Sequence, residues 1–588
     1  KKDAFQNTAW LINQNGLVII DNILLGVQVK GDGSGYEVDL DGNRLVNEFG
    51  ENYIIGRDGE NIVYTVYINS KTAKISRIVI NKAITVITDY AFNGITSLLA
   101  LDINATSLIA IDNYAFNNCS ALSAIYFRDA NNAITLGENI LAQTSASIAL
   151  VFPAGYMTVQ NMLIGERWTT LYNKIDMMEI EEGALSTLTH YHKASGTTVT
   201  IPTFVTSIAD GVFSIGFSST TQVIIPDTVV KIGVNAFANM TEVTTFAVPK
   251  SVLEIGLGAF YNCNKIIQMN LPFIGGTSTT NGYLGYIFGT LETTRLNQLD
   301  YVPASLIKII LIDNPSYTYI ADYAMYELDI ATIELTNSII SVGKYAFYGN
   351  TKLKTIHFNQ FIEIVDQYAF YGCTSITNIS FDTNSNLATF GDYAFYGCTL
   401  LSGLNLNPKA KTIGKFAFAD CTQLRNVYFK QLLQSIGESA FEGCVALGIV
   451  SFPTNGVLTE IGQYAFKACS AITTIAINME VETIGFGAFE GCSKLSSITL
   501  NFIGEKLDGT GATHLGYIFG AATYQDANYV PASLKTVTVQ TNASSQIINI
   551  ANYAFFDLIN LTSINLTSAN IGIEEEHAYD GCLAVITR

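Results

Sequence analysis

The chain has 588 residues, 49% of them hydrophobic, which is too long for one core of ordinary shape and too apolar for a disordered segment. Charged residues are only 14%, against roughly 25% in an average soluble protein, and the net charge is −19. A surface of that sign repels phosphate backbones and anionic lipid, no run of Lys or Arg offsets it, and no stretch approaches the ~18 apolar residues of a membrane helix; this argues against nucleic acid and membrane insertion.

The N-terminal KKDAFQNTAW lacks the apolar core of a secretion signal. Its Ala4-Phe5 already belongs to a dipeptide that recurs downstream, so the reading expects the sequence to begin in mid-repeat. Any signal or anchor would then lie outside it. Residues 1–80 are poorly repetitive, with hairpin turn signals at Asp41-Gly42 and Asp58-Gly59. GDGSGY (31–36) lacks both the G-x-G-x-x-G spacing and the Walker lysine, and reads as a loop. Asp39, Asp41 and Asn43 resemble the first half of a calcium loop. Arg44 then stands where glycine is needed and Gly50 where glutamate is needed, which favours a β-turn.

Two clear repeats follow at Phe92 and Phe116, then a degenerate one near Leu141 and a segment containing Trp168. We expect a first region over 1–178 and a second, longer array over 179–588, opening at GALSTLTHYHKASGTTVTIP. His190 and His192 would share one strand face, either as polar surface residues or as two metal ligands without an implied third.

Ala-Phe recurs through the second region, and between Phe347 and Phe489 the steps are 23 or 25 residues. A fixed period in this range predicts a solenoid. The averaged unit is I-x-x-I-G-x-x-A-F-x-x-C-x-x-L-x-x-I-x-F. Its second half alternates as a strand, with Leu353, Ile356 and Phe358 inward and Thr355 and His357 outward. The Ile436-Gly437 step suits a bend that uses glycine's conformational freedom. Tyr-Ala-Phe is too short for a helix and predicts a turn or one 3-10 turn.

All nine cysteines stand three residues after the phenylalanine slot. A fixed packing position favours buried thiols over disulfides between rungs or a metal site. A longer duplication, LPFIGG…LGYIFG…YVPASL, begins at Leu271 and returns at Leu500. It predicts insertions at about 273–303 and 502–531 that interrupt the array and bring Tyr286, Tyr517 and Tyr524 to exposed loops.

Over most of 85–145 and nearly all of 200–588, this unit resembles the BspA-like class of leucine-rich repeats. FQNTAWLINQNGLVIIDNILLGV (5–27) and LVFPAGYMTVQNMLIGERWTTLYNKI (150–175) are similar to further segments of that class, with Phe-Pro replacing Val-Pro in the second. The resemblance implies a β-rich (α/β-class) leucine-rich-repeat solenoid, with a short strand plus a turn or 3-10 segment per 23–25-residue repeat. It also implies a secreted or surface-displayed protein, often an adhesin or a host-interaction scaffold.

Chemistry has little support. G-x-S-x-G, H-E-x-x-H and a Cys–His arrangement are missing from the sequence, and His357 falls in an outward strand slot. No cofactor is implied. The outward strand column is polar, mostly neutral and mixed in size. Its candidate binding residues are Tyr126, Asn270, His357, Asn405, Tyr428, Thr499 and Asn565, with Tyr286, Tyr517 and Tyr524 on the insertions. The sequence therefore reads as a non-enzymatic bacterial surface or secreted protein that binds a partner protein or glycan. The alternative is a structural subunit that self-associates into a filament, lattice or matrix.

Overall fold

A computed structural model describes residues 16–20, 23–28, 52–58, 61–68, 75–80, 83–144, 148–157, 171, 175–193, 195–541 and 547–588. Phe5, the glycine-rich 31–36, the Asp39–Asn43 motif and Trp168 lie outside the described residues. The chain forms two compact units, Lys1–Phe237 and Ala238–Arg588.

In the first unit, strands Asn52–Asp58, Asn61–Ile68 and Ile75–Ile80 pair antiparallel, with Asp58 opposite Asn61. From Ile75–Ile80 onward the pairing becomes parallel, through Ala100–Asn104, Ala124–Arg128, Ala149–Pro153 and Asp176–Glu181. Thr187–His192 then folds back antiparallel on Asp176–Glu181.

In the second unit each repeat contributes two strands, one more than the sequence led us to expect. Strands such as Asn426–Tyr428 and Ile449–Ser451 pair in parallel on one side. On the other, two-residue strands at the Ile-Gly step, from Tyr319–Ile320 to Thr483–Ile484, form an eight-stranded parallel sheet. The alternation behaves as read: Leu353, Ile356 and Phe358 are buried, while Thr355 and His357 are exposed. Between the sheets Phe347, Phe370, Phe395, Phe418, Phe441, Phe466 and Phe489 stack in a continuous column, with ring centroids 4.8 to 5.6 Å apart. One unit cannot bury such a ring, whereas neighbours above and below bury it completely.

The Tyr-Ala-Phe segment is a chain of turns, as expected. Ala369 N–H reaches Asp366 O and Tyr371 N–H reaches Tyr368 O, while Phe370 N–H bonds across to Ala394 O of the next turn at 2.7 Å. The glycine of the Ile-Gly step has a different reason from the one expected. Gly437 does not take a left-handed conformation; a Cβ there would stand 2.7 Å from the carbonyl carbon of Gly414, on the preceding rung. Close approach of two backbones excludes a side chain. Left-handed conformations fall instead two residues after that glycine, as at Tyr393 (φ 57°) and Tyr464 (φ 56°), and on the residue before the cysteine, as at Gly372 (φ 68°).

The insertions also correct the sequence reading, because they continue the stack rather than interrupt it. Gln268–Leu271 pairs in parallel with Lys308–Leu311, on either side of the first insertion in sequence. Within it, the 3-10 helix Leu284–Phe288 takes the place of the Tyr-Ala-Phe turn. Phe260 N–H donates to Ile287 O at 2.9 Å, and Leu284 N–H donates to Ala324 O at 2.8 Å. The second copy repeats this, with Phe489 N–H on Ile518 O and Leu515 N–H on Ala554 O, both at 2.8 Å.

Candidate functional site

Strand register brings the expected outward column together in segments. Tyr126 stands opposite Asp102, Ala247 opposite Asn270, His357 opposite Ser380, and Tyr428 between Asn405 and Ser451. Thr499, Thr538 and Asn565 run side by side. His357, Asn405 and Tyr428 are exposed; Tyr126, Asn270, Thr499 and Asn565 are half-buried. Asp102 is the exception to the open column. It is only 4% exposed, because Arg77 and Arg128 lie over it.

His357 places Nδ1 2.9 Å from Ser380 Oγ and Nε2 3.1 Å from Asp382 Oδ1. These are the residue types of a nucleophilic triad, but the arrangement is open. The His357 and Asp382 side chains are 57% and 41% exposed, whereas a triad carboxylate is buried to hold its imidazole. The contact orders a polar surface. His190 is exposed and His192 half-buried.

The insertion tyrosines pack rather than project. Tyr517 meets Phe486 edge-on at 5.4 Å, and Tyr524 stacks on Tyr553 at 4.3 Å. Tyr286 meets Tyr283 edge-on at 6.0 Å. All three insertion tyrosines are half-buried.

The sequence reading missed a double tyrosine column. Tyr323, Tyr345, Tyr368 and Tyr393 stack at 4.7 to 5.0 Å and end on Phe416. Tyr326, Tyr348, Tyr371 and Tyr396 stack beside them at 4.8 to 4.9 Å. Within each rung the two rings are 5.7 to 5.8 Å apart. All eight are half-buried. Arg295 lies over the free face of Tyr323 at 4.8 Å, and the Tyr396 hydroxyl donates to Asp420 at 2.6 Å. That hydrogen bond, with burial, pushes the Tyr396 phenol up to about 12. Ring faces are spent on one another, so the column presents ring edges and hydroxyls. The signal was in the sequence: Y-A-[FM]-Y recurs at four successive rungs.

In the first unit the strand face is not flat. Three adjoining cavities of about 520, 280 and 240 Å³ share Tyr126 as a wall. The Phe204 ring meets Tyr126 at 4.9 Å and 72°. Asp102 accepts from Arg128 Nε and Nη2, both at 2.9 Å, and from Arg77 Nη2 at 3.3 Å; Arg128 also pairs with Glu182. Burial is the main cause that raises the Tyr126 phenol far above its usual range.

The cysteine slots hold thiols. Eight are buried and Cys582 is half-buried. Burial pushes Cys119 up to about 11 and Cys263 and Cys492 to about 12, so none is a poised nucleophile. Among the described residues no cluster of three or more His, Cys, Asp or Glu is placed to hold a metal, and no helix is long and apolar enough to cross a membrane.

Stacked parallel rungs, a phenylalanine spine and a cysteine slot define a leucine-rich-repeat solenoid. The family model for the BspA type leucine rich repeat region matches residues 63–177, 184–288, 318–447, 411–507 and 529–587. The chain belongs to that family, whose members are typically non-catalytic repeat proteins of protein interaction. Among solved structures, a leucine-rich repeat protein from Bacteroides ovatus is 17% identical over 90% of this chain and 99% of that one, with a TM-score of 0.27. A leucine rich repeat protein of T. pallidum is 28% identical over 28% of this chain and 78% of its own, with a TM-score of 0.26. A leucine rich cell surface protein from Faecalibacterium prausnitzii is 20% identical over 68% of this chain and 94% of its own, with a TM-score of 0.22. No curated protein matches the chain.

Proposed function

We propose that this chain is a non-enzymatic bacterial surface or secreted protein that holds a partner protein. The observation that carries the reading is the double tyrosine column. Tyrosine supplies contact area, a hydroxyl and little entropy to lose, and it is enriched where proteins meet. Here eight copies are locked by stacking before any partner arrives, which lowers the ordering cost of association. The exposed strand residues Asn270, His357, Asn405, Tyr428, Thr499 and Asn565 form a second, polar surface of the same unit. Family membership supports display at the cell surface.

The test is binding of the purified chain to a panel of extracellular-matrix and host-surface proteins by surface plasmon resonance. Tyr345→Ser/Tyr368→Ser/Tyr393→Ser is expected to weaken the interaction at least about tenfold, a loss of about 1.4 kcal/mol. His357→Ala and Asn405→Ala measure the share of the strand face. Undiminished binding in both sets of variants would sink the reading.

A further inference from the structure

We infer that the cleft walled by Tyr126 in the first unit is a subsite for a neutral saccharide. The inference stands apart from the protein-binding surface of the second unit. The largest of the three cavities, about 520 Å³, lies within the range of small-ligand sites. Its floor is the outward face of the strands Ala124–Arg128, Ala149–Pro153 and Asp176–Glu181. Each of these strands is paired on both sides, and the one-sided edge strand at the wall, Thr198–Thr200, is three residues long with its Thr198 carbonyl already accepting from Lys193 Nζ, so little edge is left for an extended peptide to join as an added strand. Recognition must come from side chains.

Those side chains select by chemistry. Both guanidinium groups on the wall are paired, Arg77 and Arg128 with Asp102, and Arg128 also with Glu182. Those two cations are neutralised in place, the Lys193 ammonium of the largest cavity is held on Thr198 O with the Asp176 carboxylate in the same lining, and the chain is strongly acidic, so an anion gains little here. Asp176 accepts from the Tyr191 hydroxyl and Lys193 donates to Thr198 O, but a purely apolar ligand would still strip water from their remaining hydrogen-bonding sites and from the Thr198 and Thr200 hydroxyls, which line the same cavity. What remains is a ligand with apolar C–H faces and many hydroxyls. The Tyr126–Phe204 corner supplies the aromatic contact. The neighbouring carboxylate, ammonium and hydroxyl groups supply donors and acceptors for vicinal hydroxyls. Arg128, 6.0 Å over the Tyr126 ring, helps fix the orientation of that wall.

The experiment is saturation-transfer NMR and calorimetry on the full chain with maltotriose, cellotriose, chitotriose and N-acetyllactosamine, and with sialyllactose as the acidic probe. At least one neutral sugar should bind, with sialyllactose weaker than its neutral counterpart. Tyr126→Ala and Thr200→Trp should each weaken that sugar at least about tenfold. Thr200 is exposed at the cavity wall, so Thr200→Trp fills the cleft without touching the core. Tyr345→Ser should leave sugar binding unchanged, which separates this subsite from the protein-binding surface. Failure of every neutral sugar, a preference for the acidic one, or binding indifferent to Thr200→Trp in a folded variant would overturn the inference.

Discussion

The thiol of Cys444 donates to the carbonyl oxygen of Phe418, one rung earlier, at 3.2 Å. The same bond joins Cys373 to Phe347, Cys421 to Phe395, Cys469 to Phe441 and Cys492 to Phe466, at 3.1 to 3.4 Å. Where asparagine takes the slot, Asn350 Nδ2 donates to Met325 O at 2.6 Å, but its Oδ1 is left buried and unpaired. Cysteine is the better occupant because it fills a small apolar space, supplies one weak donor and buries no orphan acceptor.

Thiol labelling tests this arrangement. In the native chain at neutral pH only Cys582, half-buried, should react with a thiol reagent on a timescale of minutes. The other eight should become reactive together on unfolding. Rapid native labelling of several rung cysteines would contradict the buried ladder.

The same burial makes stability fall in alkali. The rung thiols titrate above their ordinary value of 9.0, near 11 for Cys119 and near 12 for Cys263 and Cys492. Below pH 9 both folded and unfolded chains hold these protons, and the contribution is fully present. As the pH rises from about 9 to 12 the unfolded chain releases them first, so the urea midpoint should drop across that window. Replacing Cys119 and Cys492 by Ala should flatten the drop.

Core and face positions should differ sharply. Phe418→Ala removes a fully buried ring from the spine and should cost roughly 3–5 kcal/mol. Asn405→Ala, on the exposed strand face, should stay within about 0.5 kcal/mol. Denaturant midpoints at constant slope check both, and comparable losses would refute the register.

Two glycines should fail for different reasons. Gly437→Ala drives a methyl into the Gly414–Lys415 backbone and should cost about 1–3 kcal/mol. Gly372→Ala meets nothing within 4 Å and pays only for its left-handed backbone, about 1–2 kcal/mol. Gly372→Asn should recover much of the second loss, since asparagine tolerates that conformation, while Gly437→Asn should recover none of the first.

Asp102→Asn should cost about 1.5–3 kcal/mol, as a buried acceptor of charged donors loses its charge. The lower end applies because both guanidinium groups reach solvent, and added salt should narrow the difference from wild type.

The solenoid was legible because repetition multiplies a weak signal. One Ala-Phe means little, but the spacing from Phe347 to Phe489 admits few other folds. The column around His357, Asn405 and Tyr428 was legible for the same reason, through strict alternation. What escaped depends on contacts between rungs. Gly437 looks like a bend residue until the preceding backbone is seen 2.7 Å from its missing Cβ. Asp102 looks solvent-facing until Arg77 and Arg128 close over it. The Tyr126 cleft escaped because Phe204 reaches it from outside the strand column.

The LGYIF turns have a consequence for how such a protein diversifies. Leu284–Phe288 offers its neighbours the backbone donors and acceptors that an ordinary turn would offer, although some thirty residues leave and re-enter around it. The adjoining rungs sense only the phase at which the chain returns. Circumference is therefore free to vary while height per rung stays fixed. New surface can be grafted onto any level of the stack without retuning the levels above and below it.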